Sequence, residues 1–235
     1  MEGFRMDYIA IIAITSFSTG LAVFLFDRLS SFLNRLLERK LKHYNSLVFY
    51  EGQLNNNLSR LYDILFVIPN IKNHLEKGNI TWNDLRMVRF DGSRMPNIHS
   101  INLMNSLGLY EVNLYKLNDD VETMMSGYKE MKQALIEKNI SHKEYVINCN
   151  ELVKNLDLIS KFTELTIENL LDALAEIRLR IKVDKPKTGR LIGKIIVNGM
   201  KEITDEEFKV ERKKLLSEID ELSKKRKEEI ERILL

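Results

Sequence analysis

The sequence predicts a mainly α fold. A single N-terminal transmembrane helix leads into a long-helix bundle built on an antiparallel, coiled-coil-like helical hairpin. A small β-hairpin near 190–203 and a charged C-terminal helix complete it. Three observations carry this. Only 10 Gly and 3 Pro occur in 235 residues, too few for the many turns of a β-sandwich or a Gly-rich nucleotide fold. The run 8–26 has no charged side chain. Apolar residues recur at alternating spacings of three and four over long stretches, the pattern of side-by-side helices. The apolar content of 44% and charged content of 30% fit a folded chain. The net charge of +2 gives no global pull toward nucleic acid. One cysteine, Cys149, excludes an intramolecular disulfide framework and a multi-thiolate metal site. Abundant Asn, Ile, Leu and Lys point to an AT-rich coding bias and a bacterial source.

In chain order, residues 1–7 read as a short non-cytoplasmic tail and 8–26 as the transmembrane helix. At about 1.5 Å per residue the run is close to a bilayer core of about 30 Å. It ends in bulky Phe24-Leu25-Phe26 rather than in small residues before a cleavage site. The Lys and Arg residues gather after the run, at Arg28, Arg35, Arg39, Lys40 and Lys42. The positive-inside rule then sets the N-terminus outside and the rest in the cytoplasm, as a single-pass protein of the inner cell membrane. Ser16 and Gly20 form a small-xxx-small pair suited to contact between membrane helices. Arg35, Arg39, Lys40 and Lys42 are candidates for lipid-headgroup contact. The apolar stripe 29–41 either lies on the membrane or continues the helix; continuation is the simpler reading.

Residues 27–68 form a basic juxtamembrane stretch and the first cytoplasmic helix, with Leu47, Tyr50, Leu54, Leu58, Leu61, Leu65 and Ile68 on one face. Pro69 is expected to stop it. Residues 69–108 read as an irregular loop region with short helices. It holds the one tryptophan, Trp82, with Arg86, Arg89, Phe90 and Arg94. Trp and Arg are common interface anchors, so these five are the candidate partner-binding residues. A plain alternative is that Trp82 and Phe90 plug the bundle while the arginines are solvated.

Residues 109–183 form the antiparallel hairpin. Its first seam runs Tyr110, Leu114, Leu117, Val121, Met124, Tyr128, Met131 and Leu135. Asn139 suits the left-handed position at a helix C-terminus. Ser141-His142-Lys143-Glu144 is a capping box opening the second helix. So short a connection forces the helices antiparallel. The second seam runs Val146, Val153, Leu156, Ser160, Thr163, Ile167, Leu170, Leu174, Ile177 and Ile181. Residues 184–235 hold the β-hairpin, signalled by Asn198-Gly199, and a helix capped by Thr204.

Signals for catalysis are thin. His43, His74, His99 and His142 lie at no ligand spacing from one another. Glu164, Glu168, Asp172 and Glu176 recur every four residues and read as a solvated helix face, with Arg180 offsetting Glu176. Gly189 to Lys194 lacks the spacing and the hydroxyl of a phosphate loop. Basic and acidic residues intermingle in 184–235, unlike a phosphate-tracking surface. No catalytic, cofactor-binding or metal-ligating residue is assigned, and no small-molecule substrate is evident. The expected partners are membrane lipid and a protein partner or a second copy of the chain. The leading expectation is a non-enzymatic, membrane-anchored helical interaction or scaffold protein. The rival is a membrane effector of toxin or defence type, in which the bundle controls oligomerisation of the membrane helix. An enzyme ranks third.

Overall fold

The computed structural model describes residues 2–77, 85, 87–184 and 203–234, with side chains described from Thr19 to Glu221 within those stretches and for Lys224. Four long helices account for most of them: α1 (Glu2–Glu76), α2 (Ile101–Ile136), α3 (His142–Asp184) and α4 (Asp205–Leu234). A 3-10 turn, Gly92–Asn97, precedes α2. The chain divides into two compact units, Met1–His43 and Tyr44–Leu235.

The core of the second unit follows from helical spacing. On α1, Leu47, Tyr50, Leu54, Leu58, Leu61 and Ile68 are all buried. On α2 the seam from Tyr110 through Leu114, Leu117, Val121 and Met124 to Tyr128 is buried as its spacing requires. Helices α2 and α3 pack against each other, and α4 packs on α3. The connection 137–141 explains the reversal. Lys138 takes a left-handed φ of 61°. The Asn139 N–H donates to the Ala134 carbonyl at 2.8 Å and the Lys138 N–H to Leu135 at 3.1 Å, satisfying carbonyls at the end of α2. The left-handed residue is therefore Lys138, one position before the expected Asn139. The capping box forms as its residues dictate. The Ser141 N–H donates to Glu144 Oε2 at 2.7 Å, and the Glu144 N–H donates to Ser141 Oγ at 3.2 Å.

Several expectations are corrected. Among the described residues no helix is long and apolar enough to cross a membrane. The expected span at 8–26, the single-pass topology and the placement in the inner cell membrane are withdrawn with it. The side chains described within that run begin at Thr19, and from there the apolar sequence is broken by Asp27 and Arg28 and again by Arg35. No strand occurs among the described residues. The β-hairpin near 190–203 is therefore no part of the described fold: residues 190–202 lie outside the described residues, and Ile203 is not in a strand.

Pro69 does not stop α1, which runs on to Glu76. An interior proline costs a helix about 3 kcal/mol. Continuing the helix buries Ile71 and Leu75 completely, each worth roughly 1.5–3 kcal/mol. The same turn brings Lys72 to Asp157 of α3 as an ion pair. The gains match or exceed the penalty. The end of the 69–108 stretch, expected to be irregular with short helices, instead holds the first turns of α2 from Ile101, because Ser100 caps α2 there and Leu103 and Leu107 are buried.

The C-terminal helix is not a free surface helix over its first half. Leu215 and Ile219 are buried and Phe208 packs against the core. Ion pairs flank that apolar strip: Lys182 with Glu211 at 2.6 Å, Arg212 with Asp172 at 2.6 Å, and Arg178 with Glu218 at 2.7 Å. Thr204 caps the helix, and Glu207 reaches back to the Thr204 N–H at 3.1 Å.

Candidate functional site

The described residues 87–100, ahead of α2, hold only a 3-10 turn yet are fixed at many points. Buried backbone polar groups require partners, and here helix side chains supply them. Asn118 of α2 accepts from the Val88 N–H at 3.1 Å and donates to the Val88 carbonyl at 2.8 Å. Asn57 of α1 donates to the Arg89 carbonyl at 2.9 Å and to the Tyr110 hydroxyl at 3.0 Å. The Tyr50 hydroxyl accepts from the Arg94 N–H at 3.0 Å. Asp91 accepts from the Ser93 N–H at 2.9 Å, and its hydrogen bonds to Ser93 hold its carboxyl below the usual range.

Phe90 is wedged between two tyrosines. Its ring stacks on Tyr50 with centroids 5.6 Å apart and meets Tyr110 edge-on at 5.3 Å. Burial pushes both tyrosine hydroxyls upward, so they stay protonated and serve as fixed hydrogen-bonding groups. The Arg94 guanidinium covers the Phe49 ring at 4.2 Å. The Arg89 side chain is exposed.

Of the five residues expected to bind a partner, the structure thus brings Phe90 and Arg94 to one aromatic cluster. It leaves Arg89 on the surface. Trp82 and Arg86 lie outside the described residues. Phe90 acts as the plug considered from sequence, since its ring faces the bundle. Arg35, Arg39, Lys40 and Lys42 are exposed on α1. The membrane-helix contact assigned to Ser16 and Gly20 presupposes a spanning helix and goes with it. The Ser16 side chain lies outside the described residues, and Gly20 is exposed with open space where a Cβ would stand.

Sequence reasoning missed a charged group inside the bundle. Ser100, Glu176 and Arg180 are all buried. The Ser100 hydroxyl donates to Glu176 Oε1 at 2.7 Å and accepts from an Arg180 nitrogen at 3.2 Å. The same hydroxyl caps α2 through the Leu103 N–H at 3.3 Å. Opposite charges four apart on a helix ordinarily sit in solvent, so their spacing alone held no sign of burial. Glu164 and Glu168 are exposed as expected, and Asp172 pairs with Arg212. The face is therefore solvated at one end and internal at the other.

A second internal group surrounds the one thiol. Cys149 is fully buried beside Tyr128 and Tyr145, and desolvation pushes the thiol upward. The His142 ring stacks on Tyr145 at 6.3 Å. This environment favours the protonated, unreactive thiol. Among the described residues no group of His, Cys, Asp or Glu is arranged to hold a metal ion. The geometry as a whole does structural work: it fixes an irregular segment to helices and locks helix ends together.

Two exposed stretches among the described residues are apolar. In the first unit Phe24, Leu25, Phe26, Leu29, Phe32 and Leu41 are all exposed on α1. In the second unit α2 carries an exposed apolar row, Ile101, Met104, Val112 and Tyr115.

No family model, no curated protein and no solved structure matches this chain.

Proposed function

We propose that the chain is a helical interaction protein without catalytic chemistry of its own, a scaffold in which the bundle carries a protein-binding segment of α1. The observation behind this reading is the set of large apolar side chains left exposed on α1 between Leu21 and Leu41. Contiguous exposed apolar surface on that scale marks interaction sites in folded proteins. The basic residues beside it, Arg28, Arg35 and Arg39, favour a partner with acidic flanks. The membrane-effector alternative requires a spanning helix and is not carried further.

The test is site-specific photo-crosslinking in cells with the full chain. A photoreactive residue replacing Phe32 is expected to give one discrete protein adduct. The same residue replacing Lys129, exposed on α2, is expected to give none. Equal labelling at both positions, or none at Phe32, overturns the reading. Leu29→Gln in the same chain is expected to reduce the Phe32 adduct at least fivefold.

A further inference from the structure

Helix α2 is apolar on two opposite faces. At about 100° per residue, Leu103, Leu107, Tyr110, Leu114 and Leu117 fall on one side and are buried in the bundle. Ile101, Met104, Val112 and Tyr115 fall on the other. Ile101 is 73% exposed, Val112 65% and Tyr115 76%. Single exposed apolar residues need no explanation. A row of them along one face of a helix whose other face already packs the core does.

The row has the form of a short coiled-coil seam. Ile101, Gly108 and Tyr115 recur every seven residues, as do Asn105 and Val112. A Cβ at Gly108 would meet nothing within 4 Å, so a second backbone could come close there. Asn105 holds an a-type position, where a single polar residue selects register and strand number. Glu111 and Lys116 flank the row on opposite edges, five residues apart. That is the g-to-e′ relation by which opposite charges meet across two parallel strands. Both side chains are exposed at the edges of the row: the Lys116 ammonium lies over the Phe162 ring at 4.3 Å, and the Glu111 carboxylate stands beside Gly92. The apolar row between them stays uncovered. Asp119, next in the seam, would set two like charges face to face and end the pairing.

We infer that this face binds a second copy of the chain, α2 against α2, parallel and in register over 101–118. Self-complementarity of charge identifies the occupant: Glu111 of one copy meets Lys116 of the other at both edges. A contact of this length falls below about 1,200 Å² of buried surface, so pairing depends on concentration. The inference stands apart from the α1 reading, because it uses a different helix and a different observation.

The test uses the full chain with Val112→Cys under mild oxidation. Cys149 remains in place because it is buried, and the unsubstituted chain is the blank. A disulfide-linked dimer is expected to form at least tenfold faster than for Lys154→Cys, an exposed position on α3. Adding Glu111→Lys is expected to slow the reaction at least fivefold, and adding Lys116→Glu as well is expected to restore it. Far-UV circular dichroism checks that each variant keeps its helices. Equal rates for Val112→Cys and Lys154→Cys overturn the inference. So does failure of the double reversal to restore the rate, or capture of a different protein at Val112 in place of a second copy. None of these results bears on the Phe32 adduct, so the two readings fail separately.

Discussion

Glu176 and Arg180 stand one turn apart on α3, Oε1 and Nε 3.6 Å from each other, and both are buried. The Ser100 hydroxyl, from the start of α2, joins them. The arrangement ties the α2 N-terminus to the last turns of α3 through a buried charge pair.

Breaking that pair from one side should be expensive. Glu176→Ala leaves the guanidinium of Arg180 buried without its carboxylate, and removal of one partner of a buried pair costs about 3–5 kcal/mol. The expected outcome is a large fall in the urea midpoint. Replacing both residues together, Glu176→Met with Arg180→Met, is expected to cost much less, because no lone charge remains inside. Equal losses in the single and double variants would show that the pair is not an internal ion pair.

Asn118→Ala should free the segment before α2. Its amide makes both of the hydrogen bonds to Val88 described above. Their loss leaves part-buried backbone groups unpaired, at roughly 1–3 kcal/mol. Hydrogen exchange is expected to rise in 87–98 while the α2–α3 seam stays protected. Uniform loss of protection along the whole chain would contradict the local docking described here.

Lys138 is the residue with a left-handed backbone at the end of α2. A side chain there is disfavoured by about 1–2 kcal/mol relative to glycine. Lys138→Gly should therefore stabilise the chain by up to about 1 kcal/mol, the rest being lost to the greater freedom of glycine when unfolded. Thermal melting checks the sign. A lower melting temperature would mean the connection is not closed as described.

Cys149 should resist thiol reagents in the folded protein. It has no exposed surface, and its thiol is pushed above the ordinary range by burial. The reaction with Ellman's reagent is expected to proceed only as fast as the chain opens, and to become rapid in urea. Fast labelling without denaturant would refute the packing around Tyr128 and Tyr145.

Acid should loosen α4 from α3. The hydrogen bond from Arg178 and its positive charge hold the Glu218 carboxyl below the usual range. A depressed acid stabilises the fold above its unfolded pKa, about 4.3, and that contribution is lost as pH falls through the lower folded value. The Glu218 contribution is expected to be level above about pH 5 and to decline below about pH 4, as pH falls from the unfolded value of a glutamate toward the lower folded one. Hydrogen exchange in 205–221 is the measure. Glu218→Gln should remove part of this acid sensitivity; an unchanged profile would place the sensitivity elsewhere.

Much of the helical plan is legible locally. The α2 seam, the Ser141–Glu144 capping box and the Thr204 cap each depend on residues within one or two turns, so spacing alone reveals them. The α3 seam is less readable. Tyr145, Cys149 and Leu152 are buried there, one position ahead of the expected Val146 and Val153, because α3 is apolar on a broad arc and only its neighbours choose the angle. The site is less legible still. Asn57 and Asn118 look like ordinary polar helix residues, and their partners lie 32 and 30 residues away at the Arg89 carbonyl and at Val88.

By itself the sequence determined the helical class, the reversal at 137–141 and the caps that begin α3 and α4, because those rest on short-range hydrogen bonds and apolar periodicity. Only the tertiary structure decided that α1 runs through Pro69, that Glu176 and Arg180 turn inward, and that Phe90 becomes a plug. In each case burial against a residue distant in the chain outweighed the local preference, and no local pattern records which distant surface will be there.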